Sequence, residues 1–361
     1  MQRTLFLILL GVTAVTHADW SPYLLMETDN YSAPGTIQNL QNGLEDHYHN
    51  GQLAFSRTRY SSGIFYQGNT YNYSVGYLYR DDFFLTFTND TARLLHDINS
   101  QQNFETAQNY QISLQAKHFR AEGLQLTLQQ DMAALQIYAS LSLLRADQIT
   151  EGSINGHVST ADGNTYNGNI LINDIYQKDP LFARHTGREY GYGYSTDLKL
   201  SYHTALQTEI RYQVQDIASF VQWQNAPYTD ATLTNAQAYF DSEGILHKPA
   251  SLNGFEGYKK HNQYLPAMHA LQIKQPVGNF SLQARWDINS YYHNLATQVG
   301  YQLAGQKVVF AGYQSFFSSP YLGLNATNWQ FELSAQRWPL KENQHVLLNI
   351  RYVPQGSLMG N

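Results

Sequence analysis

A two-residue alternation of apolar and polar side chains recurs along most of this chain, and it constrains the fold more than any other feature. In "NYQISLQAKH", Tyr110, Ile112, Leu114, Ala116 and His118 share one face. Asn109, Gln111, Ser113, Gln115 and Lys117 share the other. The stretches Tyr190–Tyr202, Leu206–Gln215, Phe280–Asp287 and Asn328–Gln336 repeat the pattern. Successive side chains of a β-strand point to opposite faces, so each run reads as a strand with one apolar face and one glutamine-rich, partly charged face. Helical periodicity is nearly absent, and no stretch after the N-terminal segment is apolar enough for a spanning helix.

Polar breaks at Arg80-Asp81-Asp82, Arg120–Gly123, His203-Thr204-Ala205, Pro276-Val277-Gly278 and Ala304-Gly305-Gln306 read as tight connections between antiparallel strands. Two segments, 145–189 and 225–264, read as long polar loops. A weak internal likeness aligns 124–140 with 208–224 on Asp131 and Asp216, and the apolar residues change parity at both aspartates. One extra residue in a strand produces such a change, so both are expected to be β-bulges within long strands.

Alternation alone fits a soluble sandwich, with apolar faces inward, as well as a membrane barrel, with apolar faces toward lipid. Several features together favour the barrel. The 361 residues include 28 tyrosines, 17 phenylalanines and 5 tryptophans, which match the 22 basic and 28 acidic residues in number. Many of these aromatics fall near strand ends, as interfacial girdles require: Tyr71, Tyr73, Tyr77, Tyr79, Trp223, Trp286, Tyr291, Tyr292, Trp338 and Tyr352. Runs of about ten residues suit tilted strands crossing a bilayer. Residues 1–18, "MQRTLFLILLGVTAVTHA", have the basic start, apolar core and small terminal residue of a secretory signal peptide. The expectation is an all-β, antiparallel transmembrane barrel of about 14 strands, with 12 and 16 the other even counts in range. It would span 51–353, after an N-terminal segment 19–50 that is a plug or a first strand and before a tail 354–361.

On these patterns the chain resembles Gram-negative outer-membrane β-barrel proteins over most of residues 50–353. The strand, short turn, strand, long loop rhythm is loosely similar to barrels of the long-chain fatty-acid transporter type. The resemblance implies export through the periplasm, an outer-membrane location, contact with its lipid, and passage of small solutes. Barrels of this class usually end in an aromatic residue, and here the chain continues past Tyr352 to "VPQGSLMGN".

The polar faces offer Lys117, Lys199, Glu209, Arg211, Arg285, Asp287, Glu332 and Arg351 as candidate lumen-lining residues. Both signs occur, so no single-sign selectivity ring is expected. His47 and His49 have the HxH spacing that places two imidazoles on one side of a strand, a weak metal candidate. The chain has no cysteine, which removes disulfides, thiolate metal sites and cysteine nucleophiles. The net charge of −6, with no basic stripe, gives no nucleic-acid footprint. No GxSxG, P-loop, HExxH or dinucleotide fingerprint is present, and no catalytic residue or cofactor is implied. The reading is a channel or transporter for small solutes. The alternatives are a non-transporting assembly, adhesion or surface-complex barrel that binds a partner through 145–189 and 225–264, and, third, an outer-membrane enzyme.

Overall fold

A computed structural model describes residues 20–45, 48–100, 108–160, 166–178, 184, 186–235, 239–240, 246–247, 252–305 and 307–353. The signal-like residues 1–18 and the tail 354–361 lie outside them. The strands, in chain order, begin with β1 (Trp20–Ser32), β2 (Leu53–Tyr66), β3 (Tyr71–Phe87), β4 (Asn109–Met132), β5 (Leu135–Thr160), β6 (Tyr166–Tyr176) and β7 (Gly191–His203). They continue with β8 (Glu209–Asn235), β9 (Tyr239–Phe240), β10 (Leu246–His247), β11 (Leu252–Gln263), β12 (Met268–Val277) and β13 (Phe280–Ile288). The last are β14 (His293–Leu303), β15 (Lys307–Gln314), β16 (Ser319–Ala326), β17 (Trp329–Ala335) and β18 (His345–Tyr352). Two α-helices, α1 (Ile37–Gln41) and α2 (Asn89–Asn99), sit in the connections after β1 and β3.

All pairings are antiparallel, and β1 pairs with both β2 and β18, which closes the sheet into a barrel of 14 strands. The barrel therefore starts at Trp20, not near residue 51, and β1 is its first stave. Short connections 67–70, 133–134, 204–208, 278–279 and 327–328 share one rim with both ends of the barrel chain. Gly278 (φ 59°) supplies the left-handed conformation that one of these turns needs, and Gly305 (φ 73°) does the same in the turn between β14 and β15. The other rim carries the longer connections. There α1 is capped by Thr36 and α2 by Thr88, each hydroxyl accepting a backbone N–H, from Asn39 and Thr91.

The two segments expected to be long loops are largely strand. β5 and β8 run 26 and 27 residues, far beyond what a bilayer needs. β6 fills the gap between their upper halves, directly above β7. β11 pairs with the upper half of β8 above β12. The wall thus projects beyond the membrane on the long-loop side, because alternation there is interrupted by polar residues that water tolerates on both faces. For the same reason Arg80–Asp82 and Arg120–Gly123 are mid-strand, not turns.

The outer surface has a sharp border. On β4, Leu128, Leu126 and Leu124 face outward and exposed, followed by Glu122 and Arg120. On β5, Leu141 and Leu143 give way to Arg145 and Asp147. At the border Arg145 pairs with Glu122, Arg120 with Asp147 (2.8 Å) and His118 with Asp81 (2.8 Å). Below it, about ten tilted residues of apolar wall make a band about 25 Å tall, the height a bilayer core requires. Leu271, Ile273, Leu282, Trp286, Val299, Phe331 and Leu333 continue this band around the barrel.

Candidate functional site

The inner face is the site. One half of the lumen, under β2–β5, β7 and β8, is packed solid. Its long-loop end holds an apolar core that includes Leu78, Phe119, Leu144, Ile149, Val221 and Trp223. Its other end holds Tyr23, Phe65 and Tyr138. Room for Tyr23 comes from Gly63 and Gly76 on adjacent strands; a Cβ on Gly76 would lie 2.1 Å from its hydroxyl.

Between these lies a charged bracket that crosses the lumen as a chord. Arg80 of β3 donates Nη1 to Asp216 Oδ1 at 2.7 Å and Nη2 to Oδ2 at 2.9 Å. It also reaches Asp82 at 2.6 Å. Arg59 of β2 meets Asp197 of β7 at 3.0 Å, and Arg57 donates to Gln215 of β8 at 3.3 Å. Three strands separate β3 from β8 along the wall, as they do β2 from β7, so these bonds pin facing walls together. Asp216 is itself placed by a register shift: β7 keeps one residue between Thr196 and Leu198 where β8 has three, and Asp216 adopts φ 57°. Its backbone N–H donates to Asp197 at 3.0 Å. The expectation for Asp131 does not hold. It pairs with Gln136 in regular register beside the two-residue turn 133–134, and passing through that hairpin is what changes the apolar parity. A bulge that the sequence reading missed lies at Asp147, where β5 skips a residue against Arg120 and Ala121 of β4.

The other half of the lumen is hollow, a cavity of about 360 Å³. Its walls carry seven cationic side chains and six carboxylates, interleaved with glutamine and asparagine. Seven of the eight expected lumen residues line it: Lys199, Glu209, Arg211, Arg285, Asp287, Glu332 and Arg351. Arg285 holds Asp287 at 2.8 Å, Arg351 faces Glu27 at 3.7 Å, and Arg211 pairs with Glu209. Lys117 does not line it. It stands on the inner side of the projecting wall, opposite Phe84, and is exposed to water there. The sequence reading missed Glu27, Asp29, Arg57, Arg59, Asp197 and Lys274, which complete the charged lining.

The cavity reaches from Ser281, Val308 and Asn325, close to the short-turn rim, up to Tyr292 and Phe317. These two belong to an aromatic ceiling. Phe55 stacks on Tyr292 (5.3 Å), Phe84 on Tyr291 (4.1 Å) and Phe317 on His345 (4.2 Å). Tyr291 and Tyr292 therefore face inward and, like the fully buried Trp223, are not part of the girdle. The connection 289–292 turns them in because Asn289 Oδ1 accepts both of their backbone N–H groups. No residue of 33–45 lines the cavity. That connection packs at the rim through Leu44, against Ala54, Phe87 and Ala92, and is not a plug within the lumen.

His47 lies outside the described residues, and His49 donates its backbone N–H to Pro34 at 2.7 Å. Among the described residues no three metal-type ligands converge. A serine, histidine and aspartate do align: Ser334 Oγ is 3.4 Å from His345 Nδ1, whose Nε2 is 3.1 Å from Asp29 Oδ1. Ser334 and His345 are fully buried, and Ser334 donates to the Pro320 carbonyl at 2.9 Å. A nucleophile must be reached by substrate, so the geometry ties β1, β17 and β18 together without offering a reactive hydroxyl.

No family model matches the chain, and no curated protein matches it. Among solved structures it is similar to the toluene transporter TbuX of Ralstonia pickettii, at 9% identity and a TM-score of 0.37, over 92% of this chain and 88% of that one. A mutant of the monoaromatic hydrocarbon channel TodX gives 10% identity and a TM-score of 0.45 over the same shares. The copper transporter OprC gives 8% and 0.18, over 88% of this chain and 61% of that one. What this lumen handles is a matter for its own side chains.

Proposed function

We propose that the protein is an outer-membrane channel for small polar solutes, closed toward the long-loop side by its aromatic ceiling. The observation that carries the reading is the hollow half-lumen lined by amides and by charges of both signs beneath that ceiling. Such a wall replaces the hydration of a polar solute and offers nothing to a hydrocarbon. The hydrocarbon cargo named for TbuX and TodX fits it poorly, since the apolar interior here is filled by its own side chains. Proteoliposomes test the proposal. Uptake of pentose-sized sugars and small amino acids above protein-free vesicles supports it; uptake of toluene alone would overturn it.

A second reading has an observation of its own. Among the described residues β11 pairs with β8 alone, which leaves its other edge without a described strand in the projecting wall, where Phe255 is 78% exposed. A free edge with exposed aromatics can take up a strand from another chain. Deleting 252–263 and losing a co-purifying protein, with the barrel intact, would favour a partner-binding role.

A further inference from the structure

The charges of the cavity come already neutralised. Seven cations and six carboxylates line it, and Asp82, 3.6 Å from Arg57, brings the carboxylates to seven. Part of the pairing is written along single strands. A strand returns to the same face every second residue, so Glu209 and Arg211 of β8 stand side by side on the inner wall, as do Arg285 and Asp287 of β13 at 2.8 Å. Other pairs cross between strands: Arg59 meets Asp197 at 3.0 Å, and Arg351 faces Glu27 at 3.7 Å. Lys199 sits over the Tyr138 ring at 5.3 Å with Asp197 nearby. Lys274 lies near Glu209, and Glu332 near both Arg351 and Arg285. Asp29 holds His345 at 3.1 Å.

Amides keep like charges apart. Gln272 of β12 stands between Arg211 and Arg285 in one register row. Asn349 of β18 stands between Glu332 and Glu27 in another. Neighbouring strands are about 4.8 Å apart, so each amide holds the backbones of its two charged neighbours about 10 Å from each other. Twelve glutamine and asparagine side chains line the hollow in all, each with two donors and an acceptor oxygen. Gln283 pairs with Gln298 across β13 and β14, and Asn325 with Gln330 across β16 and β17. Among lining atoms buried without a hydrogen-bond partner are two donors, Arg57 Nε and Arg211 Nε, and one acceptor, Asn325 Oδ1.

We infer that the solute of this cavity, on the polar-solute channel proposed above, is neutral and hydroxyl-rich, a sugar or polyol of monosaccharide size. A hydroxyl donates and accepts at one atom, and this wall interleaves donors with acceptors at every register row. Such a solute exchanges its hydrogen bonds to water for hydrogen bonds to amides and ion pairs at little cost. An ion of either sign loses hydration on entry and meets charges that are already compensated, so the wall repays it poorly. The hollow of about 360 Å³ has the size of a small-molecule site.

Uptake of labelled glucose, gluconate and protonated glucosamine by proteoliposomes tests this, since the three are alike in size and differ in charge. Equal potassium on both sides with valinomycin holds the membrane potential at zero. The probes are compared on the full-length wild type and on Tyr292→Ala/Phe317→Ala, which thins the ceiling. Glucose should enter at least about tenfold faster than either ion. A smaller ratio overturns the inference and leaves the channel standing. Absence of flux for all three through both proteins removes the channel and the inference with it. Charge variants give a second readout, with heat-modifiable gel migration reporting whether each barrel has folded. Asp287→Asn leaves Arg285 in excess and should raise gluconate uptake about tenfold, and Arg285→Gln leaves Asp287 in excess and should raise glucosamine uptake as much. Folded variants whose ion uptake equals that of the wild type overturn the inference, because paired charges would then not be what excludes ions.

Discussion

Replacing Arg80 by methionine should cost the barrel more stability than any other single lumen substitution. Arg80 is 2% exposed, Asp216 is 4% exposed, and the two share a bidentate bond at 2.7 and 2.9 Å. Methionine roughly matches the length of the side chain but strands the Asp216 carboxylate, which keeps Ser195 as a hydroxyl donor. Asp82 retains Arg57 at 3.6 Å. Breaking a buried pair from one side costs about 3–5 kcal/mol, since the desolvated partner is left uncompensated. The double variant Arg80→Met/Asp216→Asn removes both charges and should recover at least half of that loss, because neutral replacements of buried pairs are often tolerated. Urea-driven folding into short-chain lipid vesicles, followed by gel migration, gives the four corners of the cycle. Arg145→Met serves as the control, since the Arg145–Glu122 pair is half exposed on the outer border and should show no resolvable loss. Strictly additive effects of the two bracket substitutions, or a loss for Arg80→Met no larger than the control, would refute the idea that the chord holds the lumen together.

Leu282 and Gln283 are neighbours on β13 that point to lipid and to the cavity. Leu282→Arg should destabilise folding into vesicles by about 2–4 kcal/mol, and Gln283→Arg by far less, measured in the same urea titration. The chain has no cysteine, so single cysteines give clean probes. Gln283→Cys should react with a water-soluble thiol reagent in proteoliposomes and Leu282→Cys should not. The opposite order would invert the barrel's faces. Phe255→Ser, on the exposed surface of β11, should leave barrel folding unchanged, and a folding defect would show that the projecting wall is part of the stable core.

What the sequence made legible was the local period. Alternation identified strands, their apolar faces and most of the cavity's charges, because side-chain direction in a strand depends only on parity. Arg80, Asp81 and Asp82 show where that reading stops. Three adjacent charges resemble a turn, yet the period continues through them, with Arg80 and Asp82 inward and Asp81 outward beside His118. The bond from Arg80 to Asp216 joins residues 136 positions apart and exists only once the barrel has closed. Asp131 and Asp216 show the same limit from the other side. A parity change marks a hairpin at one and a register shift at the other, and only the pairing partners distinguish them. From the sequence Tyr292 reads as part of the membrane girdle, because an aromatic at a strand end usually belongs there. The Asn289 side chain turns it inward instead.

In the proposed channel a polar conduit is shut by the stacked rings above it. Tyr292 and Phe317 line the top of the cavity and contact each other at 5.2 Å between ring centroids. Single-channel recording of the wild type and of Tyr292→Ala/Phe317→Ala in planar bilayers decides whether those rings close it. The wild type should show rare, small openings and the variant a steady conductance at least about tenfold larger, since removing two rings unblocks a water-lined path. A folded double variant that conducts no more than the wild type would contradict it.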